Sequence, residues 1–116
     1  MVQLASPSRR LTSRVEMPEE VWVYWHCDGY DDLSRVYNIS LGGLFIEAPK
    51  PRAAGISVSL HFLVQEGQVR ADSVVRHAIP GVGIGLKFRA VKEEDRAHLA
   101  SLITRIRALS RSQDKL

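Results

Sequence analysis

Apolar and polar residues alternate along most of the chain and then change period. In "VWVYWHC" (21–27), Val21, Val23, Trp25 and Cys27 fall on one face, because successive side chains of a strand point to opposite sides. "LSRVYNIS" (33–40) and "GLFIEA" (43–48) have the same extended character. "ISVSLHFLV" (56–64) aligns Ile56, Val58, Leu60, Phe62 and Val64. "VRADSVVRHAI" (69–79) and "VGIGLKF" (82–88) follow, the last with Val82, Ile84, Leu86 and Phe88 on one face and Gly83, Gly85 and Lys87 on the other. Turn formers separate the segments: "DGYDD" (28–32), "PKPRAAG" (49–55), "EGQ" (66–68) and Pro80–Gly81. Beyond residue 92 the spacing becomes helical, with Leu99, Leu102, Ile103, Ile106 and Leu109 forming one stripe. Glu93, Glu94 and Asp95 at its start and Arg105, Arg107 and Arg111 near its end complement a helix dipole.

This order predicts a mainly β protein of six short strands, closed or nearly closed into a barrel, then one C-terminal α-helix laid across the barrel's mouth or side. Residues 1–8 are small and polar and are expected to be a disordered tail, with the domain at 9–110 and a short tail at 111–116. The chain's 116 residues, 45% apolar and 25% charged, suit one domain with its own core. No apolar run approaches the roughly 20 residues needed to span a bilayer. The N-terminus lacks the apolar core of a signal peptide. Cys27 is the only cysteine, so no internal disulfide framework is available. A cytoplasmic protein without a membrane association is the expectation.

The net charge is +3, but arginines are concentrated at the ends: Arg9, Arg10 and Arg14 at one, Arg105, Arg107 and Arg111 at the other. An anionic partner at the N-terminal segment and a solvated basic tail both fit that distribution. Two short motifs carry candidate chemistry. In "NISLGG" (38–43), a strand would project Asn38 and Ser40 to one side and Ile39 and Leu41 to the other. An amide and a hydroxyl together can read the edge of a planar heterocycle such as guanine, and Gly42 and Gly43 let a ligand approach the main chain. A β-bulge or turn held by a local side-chain hydrogen bond would use the same residues. In "RRLTSR" (9–14), Arg10 and Arg14 are four apart with Arg9 directly before. Guanidinium pairs bidentately with phosphate and with the O6/N7 edge of guanine, and it stacks on bases.

Together, and in this order, the motifs resemble those of PilZ domains: "RRLTSR" looks like the R-x-x-x-R signature and "NISLGG" like the [D/N]-x-S-x-x-G signature. "GLFIEAP", "GVGIGLKF" and "KEEDR" are also similar to stretches of that family, and the resemblance covers roughly residues 9–107. It implies a six-stranded antiparallel β-barrel with a C-terminal helix and a receptor for the bacterial second messenger cyclic di-GMP. Carried over to this chain, Arg10 and Arg14 would clamp phosphates and guanine edges from an N-terminal loop. Asn38 and Ser40 would hydrogen-bond a guanine, with Gly42 and Gly43 giving room. In proteins of this kind a further arginine just before the first signature accompanies binding of an intercalated ligand pair. Arg9 is therefore expected to set two ligands per chain. A downstream protein partner is implied as well.

The remaining features add less. Gly85 and Gly83 would leave room either for the ligand or for the helix. Trp22 and Tyr24 could form a stacking platform, lie exposed or meet the helix. His26, Cys27 and Asp28 are adjacent on an extended segment and point apart, and His61, His77 and His98 lack ligand spacing, so neither a metal nor a cofactor is expected. No nucleophile–base pair or phosphate loop is present, so no enzyme is expected. Two rivals stand beside the receptor: a PilZ-like adaptor acting only through protein contacts, and a small basic barrel for single-stranded nucleic acid. The first has no use for the arginines. The second would spread its cations over the barrel, and DNA and RNA are accordingly not expected as partners.

Overall fold

Residues 15–16, 20–50 and 52–114 are described by the computed structural model. Six strands close a ring: β2 (Trp22–Cys27), β3 (Tyr30–Ile39), β4 (Gly43–Glu47), β5 (Ser57–Val64), β6 (Gly67–Ile79) and β7 (Gly83–Val91). The antiparallel order is β3-β2-β5-β6-β7-β4, and pairing of β4 with β3 completes the barrel. A two-residue strand, β1 (Val15–Glu16), adds to β3 with Val15 opposite Ile39 and Glu16 opposite Asn38. A 3-10 turn at Glu93–Asp95 leads into helix α1 (Arg96–Asp114). The predicted barrel and helix are thus present. β1 was not foreseen, and α1 runs four residues past the expected domain end at 110. Residues 1–8, and the arginines 9, 10 and 14, lie outside the described residues.

The alternation reads directly onto the barrel wall. Val23, Trp25, Val58, Leu60, Phe62, Ile84 and Leu86 are buried in one core, and Leu99, Leu102, Ile103 and Ile106 of α1 join it. The helix packs against β1 and β6. Trp25 carries its one polar atom inward and satisfies it: Nε1–H donates to the buried Ser34 Oγ at 2.8 Å. Trp22 and Tyr24 point outward and are exposed. The first turn is shorter than "DGYDD" suggested. Asp28 (φ 54°) and Gly29 (φ 78°) alone make it, the two-residue hairpin geometry that matches strand twist, and Tyr30 already begins β3. Val82, expected to face inward, sits in the β6–β7 turn and is exposed.

Polar contacts fix the helix to the β5–β6 hairpin. Asp95, only 1% exposed, accepts from the Arg70 backbone N–H at 3.0 Å and from Arg70 Nε at 2.8 Å. His98 Nδ1 lies 2.8 Å from the Gln68 carbonyl oxygen, and its ring packs where a Cβ on Gly67 would stand. Arg105 Nε donates to Glu66 in the hairpin turn. The hydrogen bond from Arg70 holds Asp95 below the usual carboxylate range. That from Arg105 does the same for Glu66. Among the described residues, no helix is long and apolar enough to cross a membrane.

Candidate ligand site

The 38–43 motif splits into two environments. β3 ends at Ile39, so strict alternation ends there. Ile39 and Ser40 are both buried, while Leu41 is 55% exposed. The Ser40 hydroxyl is used by the turn itself: its Oγ accepts from Gly42 N–H at 3.1 Å and donates to the Gly43 carbonyl at 3.4 Å. Ser40 N–H donates to the same carbonyl at 2.8 Å. The local-turn reading of Ser40 therefore describes its contacts. Asn38, half-buried, stays on the outer side of β3 opposite Phe45.

At Gly43 the structure shows a packing role. Positive φ occurs at Gly29, Gly55, Gly67 and Gly81, not at Gly42 or Gly43. A Cβ at Gly43 would overlap the Leu86 carbonyl, so this glycine lets β4 close against β7. Phe88 N–H donates to the Gly42 carbonyl at 2.9 Å, tying the turn to β7. A Cβ at Gly85 would enter the His77 ring, and one at Gly83 would crowd Phe45 and the Ile46 carbonyl. The space beside β7 is thus taken by two rings rather than by α1.

Those rings form a row that the sequence reading missed. Asn38 is opposite Phe45, Phe45 opposite Gly85, and Gly85 opposite His77. Across the missing side chain of Gly85, Phe45 and His77 stack at 5.8 Å with 20° between planes. Phe45 stacks on Tyr37 at 5.8 Å and 29°, and the Arg35 guanidinium lies 5.3 Å from the Tyr37 centroid. Tyr37 OH donates to Glu47 at 3.5 Å. Three register shifts shape this face, each with one extra residue: Tyr37 on β3, Arg76 on β6 and Arg89 on β7. A bulge re-aims side chains, and here it places Tyr37 and Asn38 together on the outer side. The signal was in the sequence: Val36 and Ile39, both core residues, are three apart rather than two. Arg76, Lys87 and Arg89 are exposed on the same strands. The turn and the ring row thus bring Asn38, Gly42, Gly43 and Gly85 into one region of β3, β4 and β7, with Ser40 beneath. No group of three or more His, Cys, Asp or Glu side chains suited to a metal occurs among the described residues.

Comparison with known proteins agrees with this architecture. The barrel is similar to the PilZ domain with c-di-GMP of YcgR from Escherichia coli, at TM-score 0.72 and 18% identity, over 92% of this chain and 98% of that one. It is similar to the K. pneumonia MrkH–c-di-GMP complex, at TM-score 0.71 and 19% identity, over 90% of this chain and 55% of MrkH. It is also similar to the Bacillus subtilis inhibitor of motility MotI/DgrA, at TM-score 0.64 and 22% identity, over 80% and 50%. The chain therefore spans about half the length of MotI and MrkH. Curated proteins gave no match. The family model described as PilZ domain matches residues 8–105, and with the closed six-stranded barrel this means that the chain belongs to the PilZ domain family.

Proposed function

We propose that this chain is a receptor for cyclic di-GMP, binding it on the outer face of β3, β4, β6 and β7 beside the 40–43 turn. One observation carries the reading. Three bulges and two glycines build a half-exposed row of flat rings next to Asn38, with Arg76, Lys87 and Arg89 on the same strands. Stacking on such rings contributes about 1–3 kcal/mol per base, and guanidinium and ammonium groups offset phosphate charge. Asn38 reads a guanine edge. Ser40 acts through the turn it holds, which sets the height of the main chain under the ligand. Arg10 and Arg14 close over the phosphates from the N-terminal segment, and Arg9 admits a second, intercalated molecule. Two of the similar structures, YcgR and MrkH, are named for the same dinucleotide.

Binding changes the outer face that a downstream protein reads. The exposed Trp22, Tyr24, Leu33 and Leu63 on the neighbouring strands suit such a partner, because apolar groups clustered on a surface mark interaction sites. Calorimetry with cyclic di-GMP tests the receptor, with GTP, cyclic GMP and a short oligonucleotide as controls. Heat with the dinucleotide alone is expected. Its absence at tens of micromolar protein would sink the reading.

A further inference from the structure

Four of the large apolar side chains that the barrel leaves in water stand together: Trp22, Tyr24, Leu33 and Leu63. They line a groove of about 330 Å³ on the outer face of β2, β3 and β5, to which His61 also contributes. β2 is hydrogen-bonded on both sides, to β3 and to β5. An occupant therefore cannot join it as a further strand and has to lie on the face. The register sets out that face in three rows across the strands. In the first, Arg35 is opposite Trp22, with Leu63 across the groove. Leu33, Tyr24 and His61 make the middle row, and Asp31, His26 and Ser59 the last.

We propose that the occupant is a second copy of this chain, packed face to face about a two-fold axis that crosses the strands at Tyr24. Such an axis sets the middle row on itself and the first row over the last row of the other copy. Arg35 then meets Asp31 of the other copy, Trp22 lies over its His26 ring, and Leu63 over its Ser59. The ion pair forms twice, once on each side of the axis. A guanidinium has five donors, and Glu20 engages only Nη1 of Arg35, so a second carboxylate can be taken. An axis along β2 would instead set Arg35 over Leu63 and leave the cation facing an apolar group. The charges thus choose between the two axes, while burial of the apolar groups drives association. Three rows on three strands extend about 13 Å along the strands and about 10 Å across them. That is less than the surface of a permanent dimer, so the pairing is reversible. It is independent of the dinucleotide, and a downstream protein that reads this face competes with the second copy.

Sedimentation equilibrium of the full chain, without ligand, tests the pairing. The weight-average mass is expected to rise from that of one chain at about 10 µM toward that of two at about 1 mM, the range of a small interface. Leu63→Glu should hold the chain as a monomer throughout. That side chain is 77% exposed, so the melting temperature at about 10 µM should match wild type. A charge swap tests the axis. Arg35→Glu and Asp31→Arg each bring like charges together and should weaken self-association about tenfold or more. Mixed in equal amounts, the two variants restore both ion pairs, and dimer should return to about the wild-type level. A mixture no better than its components overturns this packing, as does a dimer that Leu63→Glu leaves intact. A wild-type chain still monomeric at about 1 mM overturns the pairing and leaves the face to a different protein. Calorimetry with cyclic di-GMP is a separate measurement, so none of these results decides whether the chain is a receptor.

Discussion

The helix-bearing side of the barrel and the ring-lined face treat charge in opposite ways. On the helix side, Arg70 is joined to Asp95 and Arg105 to Glu66, and His98 meets a backbone carbonyl. On the ring-lined face Arg35 meets Glu20 at the end of the row, but among the described residues no carboxylate pairs with Arg76 or Lys87. Ionic partners already satisfied within the fold serve stability and register. Cations left facing water beside flat rings are positioned for something that arrives. The difference teaches that the fold is anchored on one side so that the other can present a surface shaped by bulges.

If the two regions are separable, mutations should separate them. The largest effect is expected at the N-terminal clamp. Arg14→Ala should weaken cyclic di-GMP binding about ten- to a hundredfold, since a hydrogen bond to a charged group contributes about 1.5–3 kcal/mol and the phosphate loses its partner. The melting curve should not move. Unchanged affinity in calorimetry, or a lost fold by circular dichroism, would remove Arg14 from the clamp.

Two glycines make the next contrast, because what opposes a Cβ differs. At Gly43 it is the Leu86 carbonyl, held in the β-ladder. Gly43→Ala should therefore destabilise the fold by about 1–3 kcal/mol, measured as a shift in urea midpoint. At Gly85 it is the exposed His77 ring, which can swing away. Gly85→Ala should leave stability within about 1 kcal/mol and weaken the dinucleotide about tenfold by breaking the stack. Equal effects of both changes on stability would show that the ring row is structural.

Acid should act on the helix side. Asp95 and Glu66 have folded-state pKa values below their ordinary 3.8 and 4.5, so the unfolded chain takes up protons first. Their contribution is complete above those ordinary values and is lost as pH falls through them toward the lower folded ones. Thermal melts from pH 7 to pH 3 should show this decline, and Asp95→Asn should flatten it. An unaltered acid slope in that variant would mean the decline arises elsewhere.

Much of this was legible along the chain because inward positions of an antiparallel barrel are apolar one by one. Trp25, Leu60 and Leu86 are buried as their alternation indicated. What escaped depends on pairing. β1 has only two residues and exists through its partner, Ile39 and Asn38. Ser40 turns inward because β3 stops one residue earlier, a fact set by the 40–43 turn. The ring row needs Gly85 between Phe45 and His77, three residues from three strands. The candidate motif residues were visible as a pattern, but the rings beside them become a site only when the barrel closes.

The smallest effect on affinity is expected at Arg9, and it sharpens the picture of the ring-lined face most finely. Cyclic di-GMP binds either singly or as an intercalated pair. A pair brings four phosphate charges and an outer guanine with one open face. Arg10 and Arg14, with the exposed cations on β6 and β7, answer the first molecule. A further guanidinium is needed where the second one adds charge, and it can also cap the outer base by a cation–π contact, about 0.5–1 kcal/mol at an exposed site. Arg9, directly before the signature, supplies it. Wild type should therefore take two molecules per chain and Arg9→Ala should move toward one, with the affinity for the first molecule changed by less than about threefold. Calorimetric stoichiometry checked by native mass spectrometry decides it. A wild-type ratio of one that Arg9→Ala leaves in place would show that the exposed cations on the strands and the two motif arginines suffice, and that Arg9 has no part in ligand number.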